Sequence, residues 1–336
     1  MTSQSKHQRQ LWFTKPYQVE VRESEHSAIP AGSVRVRTLC SGISAGTEML
    51  VYRGQLPEEL GLDASIEGMQ SKPSYPLQYG YACVGEVESL GTGVATHWLG
   101  KRVFSFAPHG SHFVSACDAL IELPATVEPE DAVFLANMET AINLVQDGRP
   151  GVGERVAVLG QGIVGLLLTG VLARFPLQEL LAVEGIAQRR ELAQSLGATS
   201  TCASSRLNEQ EADLIYEVSG VPEALNSAIT LAGFDSRIII GSWYGKKTAA
   251  IDLGGKAHRN RISITTSQVS SIAPGLSGRW TKERRFSVAW QMLESIRPSR
   301  LITQQVPLLE AEQLYKQLDE TPEKIVQAVF VYDYYQ

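Results

Sequence analysis

Apolar residues along this chain change their period part-way. Up to about residue 125 they come in short alternating or β-branched runs, at Val19 to Arg22, Val34 to Leu39, Val84 to Ser89 and Val103 to Phe106, separated by Gly and Pro. This pattern predicts a mainly β region from Gln10 to Ala125. The stretch Gly54 to Pro76 carries neither period and mixes Pro, Gly, Ser and acids, which predicts a long, partly helical surface loop of the kind that shapes a substrate entrance. From Glu130 the spacing becomes helical, with Val133, Phe134, Ala141, Leu144 and Val145 on one helix over Asp131 to Gln146 that stops at Gly148. Strand and helix then alternate: Arg155 to Leu159, Ile163 to Arg174, Leu180 to Glu184, Ala187 to Leu196, Asp213 to Val218, Pro222 to Leu231, Arg237 to Ile240 and Ile262 to Thr266. Runs such as Val156-Ala157-Val158-Leu159 and Ile238-Ile239-Ile240 suit strands covered on both faces. The alternation predicts βαβ units and a doubly wound parallel α/β sheet. A helix over Arg285 to Ile296, a second over Leu309 to Leu318 and a strand over Ala328 to Tyr332 close the chain, and Lys282-Glu283-Arg284-Arg285 reads as a solvated helix start.

Composition narrows the function classes. With 336 residues, 43% hydrophobic and 20% charged, the chain can bury one large or two ordinary cores. Thirty basic residues against 36 acidic ones give a net charge of −6 and no basic stripe, which speaks against a nucleic-acid partner. Met1 to Gln10 is polar, and the longest apolar stretch, Ile163 to Ala173, is too short to span a bilayer, so the expectation is a cytoplasmic protein with no membrane partner. Cys40, Cys83, Cys117 and Cys202 stand far apart with no C-x-x-C pair, which predicts small buried hydrophobes, not disulfides or a thiolate cage.

Candidate chemistry centres on Val158-Leu159-Gly160-Gln161-Gly162-Ile163-Val164-Gly165. Here an apolar strand ends in G-x-G-x-x-G and passes into a helix, and the next strand ends in Glu184, 19 residues beyond Gly165. Gly160 is expected to make the tight turn, Gly162 to let a pyrophosphate approach backbone, and Gly165 to let helix and strand pack closely. The helix N-terminus would face the phosphates. Glu184 would accept the adenosine ribose hydroxyls and repel a 2′-phosphate, favouring NAD(H) over NADP(H). Arg189 and Arg190 could reach a 2′-phosphate if turned inward, and otherwise lie on an exposed helix face.

Three further stretches carry a family resemblance: Ser41-Gly42-Ile43-Ser44-Ala45-Gly46-Thr47-Glu48, Pro76-Leu77-Gln78-Tyr79-Gly80-Tyr81-Ala82-Cys83-Val84-Gly85-Glu86-Val87, and Leu196-Gly197-Ala198. They are similar to the G-I-C-G-T-D, P-x-x-x-G-H-E-x-x-G-x-V and L-G-A stretches of the medium-chain dehydrogenase/reductase superfamily. The resemblance covers nearly the whole chain. It implies a GroES-like catalytic domain made of residues 1–125 plus 300–336, a Rossmann NAD(P)-binding domain over 126–299, and a homodimer. Where zinc-dependent relatives carry metal ligands, this chain has Ala45, Tyr81 and Ala136, and the stretch from Phe104 to Cys117 lacks the four cysteines of a structural zinc lobe. The resemblance thus implies a zinc-free member, and Ser41 to Gly93 is most similar to the branch that includes bacteriochlorophyllide dehydrogenases. His109 and His112, without a third ligand in view, read as exposed or structural.

The same resemblance implies site roles. Tyr81 would either act as general acid or base at a substrate oxygen or fill the ligand void with aromatic volume. Thr47 matches a proton-relay hydroxyl or caps a helix beginning near Met49. Glu48 matches the acid behind the metal, with pairing to an arginine of the cofactor domain as its leading role and catalytic base as the other. Thr140 would lie beside the nicotinamide, Ile163 at the pyrophosphate turn, and Ser219-Gly220 and Gly241-Ser242-Trp243 at the strand ends that bind ligand. Trp243-Tyr244 would either close over a substrate or pack at the surface. The expected function is zinc-independent, NAD(H)-linked hydride transfer between nicotinamide and a secondary alcohol or ketone on a bulky apolar small molecule. The alternatives are a quinone or enone C=C reductase and a non-catalytic dinucleotide-binding protein.

Overall fold

The computed structural model describes residues 7–56, 74–206 and 211–332, so most of the loop expected over Gly54 to Pro76 lies outside the described residues. In chain order the elements are β1 (His7–Lys15), β2 (Gln18–Glu25), β3 (Ser33–Gly42), α1 (Ala45–Tyr52), β4 (Cys83–Leu90), β5 (Arg102–Ser105), β6 (His112–Ala116), β7 (Ile121–Glu122), α2 (Pro129–Ala132) and α3 (Leu135–Gly148). There follow β8 (Arg155–Leu159), α4 (Ile163–Leu172), β9 (Glu179–Val183), α5 (Ala187–Ser195), β10 (Ser200–Cys202), β11 (Ala212–Glu217), α6 (Ala224–Leu231), β12 (Ala232–Ile240) and β13 (Ser263–Thr266). The chain closes with α7 (Lys282–Ile296), β14 (Ile302–Pro307), α8 (Ala311–Glu320) and β15 (Gln327–Val331). They form two compact units, Met1–Ala136 with Arg297–Gln336, and Asn137–Ile296.

The first unit is built on β3, whose Val34, Val36, Thr38 and Cys40 alternate into the core. Around it runs a sheet of order β14-β15-β3-β4-β5-β7, with β6 also paired to β3, and β1 and β2 form a separate hairpin. Ala311, Leu314, Tyr315 and Leu318 give α8 one buried stripe, which joins Leu11, Phe13, Leu50 and Phe330 in a shared cluster. Each fully buried side chain of that size contributes roughly 1.5–3 kcal/mol. Tyr315 sits edge-on to Phe13 at 5.2 Å and stacks on Tyr52 at 5.5 Å.

The second unit holds six parallel strands in the order β10-β9-β8-β11-β12-β13. This is the doubly wound arrangement in which chain direction reverses between β8 and β11, leaving a crevice at their C-terminal ends. Helix α4 buries eight of its ten residues, from Gly165 to Leu172, as a helix laid on a sheet in a large core must.

Three expectations change. The single helix expected over Asp131 to Gln146 is split into α2 and α3, with the buried Val133 and Phe134 between them. Strand β1 starts at His7 within a stretch read as a polar terminus; its inward residues Gln8, Leu11 and Phe13 are masked by polar neighbours. Cys40 and Cys83 are buried as expected, whereas Cys117 and Cys202 are only partly so.

Candidate cofactor turn and hydroxyl cluster

In the second unit the turn from β8 into α4 leaves no room for side chains at two glycines. Gly160 has φ +95°, and a Cβ there would stand 2.5 Å from Ser219 Cα. A Cβ on Gly165 would stand 2.0 Å from the carbonyl oxygen of Gly160, so helix and turn touch through backbone. Gly162 differs. It is the N-cap of α4 with φ −68°, a Cβ on it would meet nothing within 4 Å, and no side chain caps the helix. Gln161 locks the turn from within: its fully buried amide donates to Val158 O at 3.2 Å and accepts from Thr169 Oγ1 at 3.0 Å. Ile163 opens α4 and is half-buried.

Glu184 follows β9 and reaches back to this turn. Its Oε2 accepts the Gln161 amide at 2.8 Å and its Oε1 the Ile186 amide at 3.0 Å. Arg190 neither lies free on its helix nor points outward, since its Nη1 donates to the carbonyls of Glu184 and Gly185 at 2.6 and 2.8 Å. At the end of β11, the buried Glu217 accepts the Ser219 amide at 2.8 Å, the Ser219 hydroxyl, and the Tyr244 hydroxyl at 2.6 Å. Burial, then the bond to Glu217, pushes the Tyr244 phenol well above its ordinary range. Tyr244 is thereby engaged away from the lid expected of it, and Trp243 remains 36% exposed. Gly220 N donates to Ser242 Oγ at 2.8 Å. Gly241 is glycine because Leu144 Cδ2 would lie 2.7 Å from its Cβ.

Thr140 stands on α3 between Glu139 and Asn143, and these two bind Arg285. The guanidinium donates to Glu139 Oε1 at 3.0 and 2.7 Å, to Asn143 Oδ1 at 2.5 Å, to Ser271 O at 3.2 Å, and to Val269 O. Arg285 is fully buried, so the expected solvated helix start is corrected: only its neighbours face water. A fork of five donors can satisfy a carboxylate, an amide and two carbonyls together, which makes its burial tolerable.

In the first unit Ser44 is the N-cap of α1, yet its hydroxyl does not cap the helix and accepts instead from Tyr81. Tyr81 Oη also lies 3.4 Å from Thr47 Oγ1. Thr47 is therefore not the cap of a helix near Met49; it stands in the first turn of a helix that starts at Ala45. The Ser44 amide donates to Glu48 Oε1 at 2.8 Å. Glu48 Oε2 takes His109 Nε2 at 3.0 Å and the Tyr315 hydroxyl. His109 Nδ1 meets Ser41 Oγ at 2.7 Å, and Ser41 Oγ meets the Tyr332 hydroxyl at 2.6 Å. The arginine expected to pair with Glu48 is thus replaced by His109, which is buried, not exposed. Gly80 makes room for it with φ +128°, since a Cβ there would stand 2.7 Å from His109 Cδ2. Burial, then the Glu48 charge, raises the Tyr315 phenol well above its ordinary range.

The positions that hold zinc in zinc-dependent relatives offer no donor set here. Ala45 and Ala136 present methyl groups, and the Tyr81 hydroxyl is held by Ser44. Cys40 and Cys83 nearby are kept as thiols by burial and point at the carbonyls of Pro129 and Pro108. Among the described residues, the one group of three His, Cys, Asp or Glu donors close enough for a metal lies elsewhere, at His26, Glu88 and His112. Ala45, Tyr81 and Ala136 supply no His, Cys, Asp or Glu side chain between them.

No protein-family model matches the chain. It is 24% identical over 346 residues to the D-guloside 3-dehydrogenase of Escherichia coli K12, spanning 95% of this chain and 98% of that one. An alcohol dehydrogenase from E. coli CFT073, solved with NADH, has a TM-score of 0.78 at 20% identity and covers 97% of this chain and 100% of its own. A zinc-dependent alcohol dehydrogenase 2 from Streptococcus pneumoniae has a TM-score of 0.79 at 20% identity, covering 98% and 99%. Over nearly its whole length the chain is thus similar to curated dehydrogenases and shares the fold of solved medium-chain alcohol dehydrogenases.

The hydroxyl cluster places Tyr81 beside both Ser44, which sequence reasoning passed over, and Thr47. Ser41, His109 and Tyr315 were also missed as partners of Glu48, as were Glu217 and Arg285. For Arg285 a signal existed: it shares a helical stripe with Ala289, Trp290, Leu293 and Ile296, all buried.

Proposed function

We propose that this protein is a nicotinamide-dependent oxidoreductase of alcohols and ketones that handles the reacting oxygen without zinc and prefers NAD(H). The observation that carries the reading is the Tyr81, Ser44 and Thr47 hydroxyl cluster standing where a metal ligand set would be. Cofactor holding is assigned to the second unit: Gly160, Gly162, Ile163 and Gly165 for the pyrophosphate, Glu184 for the adenosine ribose, and Thr140, Ser219 and Gly241 for the nicotinamide side. The open space at Gly162 and the uncapped helix start support a phosphate there. The carboxylate of Glu184, fixed by two amides, still has lone pairs for ribose hydroxyls and a charge that disfavours a 2′-phosphate. The NADH carried by the E. coli structure agrees with this cofactor class.

When bound, the nicotinamide supplies or accepts the hydride. The chain handles the proton. In reduction, Tyr81 Oη would donate its proton to the carbonyl oxygen, and solvent would return a proton to the phenolate through the Ser44 or Thr47 hydroxyl, which takes up one proton as it passes on another; in oxidation the same path runs backwards. Hydroxyl protons rotate, so Ser44 can reverse its bond and free the phenol proton for substrate. Glu48 is a positioning residue: both its oxygens are committed, and it holds the Ser44 amide.

For substrate, a bulky apolar secondary alcohol or ketone is supported by the exposed Trp243 after β12. A secondary hydroxyl on a sugar is the second reading, favoured by the similarity to the E. coli D-guloside 3-dehydrogenase. Screening NADH and NAD against hydrophobic secondary alcohols, glycosides, ketones, quinones and enones tests all of these. Turnover of an alcohol or ketone, undiminished after chelation, is expected. Activity abolished by chelation and restored by zinc overturns the metal-free chemistry, turnover of enones alone makes the protein a C=C reductase, and tight NADH binding with no turnover makes it a non-catalytic binder.

A further inference from the structure

His26, Glu88 and His112 come together on the first unit from three separate segments: the connection between β2 and β3, strand β4, and the start of β6. One ligating atom from each lies within 4.8 Å of the other two. His112 Nε2 is 3.7 Å from Glu88 Oε2, and the two imidazole rings meet edge to face with centroids 4.5 Å apart. We propose that these three side chains bind a first-row divalent transition metal, zinc foremost, at a site distinct from the hydroxyl cluster around Tyr81.

The chemistry of the set fits such an ion. Two imidazoles and a carboxylate are the ligands of open three-residue zinc sites, with a fourth position left for water. At a metal–ligand distance of about 2.0–2.1 Å, tetrahedral ligand atoms stand about 3.3 Å apart. The Glu88 to His112 pair needs to close by only a few tenths of an ångström, and the remaining separations lie within side-chain rotation. His112 is oriented from behind: its Nδ1 lies 3.0 Å from Ser111 Oγ, which turns Nε2 toward Glu88. Metal-bound histidines are held by a second-nitrogen contact of this type.

The two arginines oppose a cation but do not occupy the site. Arg35 Nη2 donates to Ser27 O at 2.5 Å, and Arg37 Nη2 faces Glu86 at 3.7 Å. Their charge lowers the affinity below that of a site without them. Imidazole and carboxylate ligands suit zinc, nickel, copper and iron more than magnesium or calcium. A bound ion would tie the β2 to β3 connection onto the sheet, a stapling role. Half-exposure of His26 and Glu88 gives the ion an entry path and water a coordination position.

The test titrates the chelator-stripped, full-length protein with zinc chloride by calorimetry and with cobalt(II) by visible absorption. One saturable equivalent is expected, with binding at least about tenfold weaker in each of His26→Gln, Glu88→Gln and His112→Ala. Zinc should also raise the urea midpoint of the parent but not of Glu88→Gln. Absence of one-equivalent binding, or equal affinity in the variants, overturns the site; should His112→Ala fail to fold, the other two decide. Turnover is measured alongside. Glu88→Gln losing zinc while keeping turnover separates this metal from the chemistry at Tyr81, whereas an equivalent that survives all three substitutions belongs elsewhere and refutes the assignment.

Discussion

Glu48 Oε2 lies 3.0 Å from His109 Nε2, and neither side chain reaches solvent. The pair sits in a chain of contacts running from Tyr332 and Ser41 through His109 to Glu48, Tyr315 and the Ser44 amide. Glu48→Gln keeps the shape but removes the charge, leaving His109 and Tyr315 with a weaker acceptor inside the core. A loss of about 2–3 kcal/mol in urea unfolding is expected, because breaking a charged hydrogen-bond partner in a dry site costs this much. A change below about 0.5 kcal/mol, the size of an ordinary surface substitution, would show that the pair is dispensable.

Tyr81→Phe removes one oxygen and leaves the ring that packs edge-on to Tyr79. A fall in kcat of about 100-fold with unchanged NADH affinity is expected, the usual worth of a positioned general acid. Full turnover in this variant would reduce Tyr81 to filler. Ser44→Ala should show a smaller fall in the same direction.

Gly162→Ala and Gly165→Ala should separate binding from folding. Alanine at 165 collides with the Gly160 carbonyl, so a fall in melting temperature of several degrees is expected, in keeping with a backbone clash of a few kcal/mol. Alanine at 162 meets no protein atom and has an ordinary φ, so stability should hold while NADH affinity drops at least about tenfold, the cost of roughly 1.4 kcal/mol in phosphate contact. Equal behaviour of the two variants in both measurements contradicts the phosphate reading.

Glu184→Gln carries no charge and keeps one acceptor oxygen, enough for either the Gln161 or the Ile186 amide but not both. The ratio of NADPH to NADH dissociation constants should shrink by about tenfold, as expected when one like charge near a phosphate is removed. An unaltered ratio in isothermal titration removes Glu184 from cofactor choice.

His112 makes stability pH-dependent. Its folded value is lowered from 6.5 to about 3, so below pH 6.5 the unfolded chain takes up a proton that the folded chain refuses. The contribution is therefore present above pH 6.5 and is lost as pH falls towards 3, by at most about 1.4 kcal/mol per pH unit. Urea midpoints measured in chelator between pH 7 and pH 4, roughly that window, should fall less steeply for His112→Gln than for the parent; parallel slopes would refute it.

The cofactor turn could be read in advance because all its determinants are local. Strand, glycines and helix lie within Arg155 to Leu172, and the spacing to Glu184 is fixed by one helix and one strand. The surroundings of Glu48 could not be read that way. Its partners Ser44, His109 and Tyr315 are common polar residues scattered along the chain, and only the fold brings them together. His112 illustrates the same limit. Its companions Glu88 and His26 are far upstream, so a search for nearby ligands finds two histidines and stops. Family motifs pointed to Tyr81 and Thr47, while Ser44, beside Ala45, was hidden by its plainness.

The pairing of β15 with β3, Val329 opposite Gly42, bears on how the protein is made. Residues near the start of the chain wait for a strand near its end, and in the other unit Glu139 waits for Arg285. During synthesis the first unit lacks its strand β15 until the end, and the second holds a carboxylate without its cation until its last helix, α7, appears. A ribosome stalled near residue 280 would release a chain with both units unfinished, exposing sheet edge and core together. Such truncated products should be cleared by proteases or bound by chaperones.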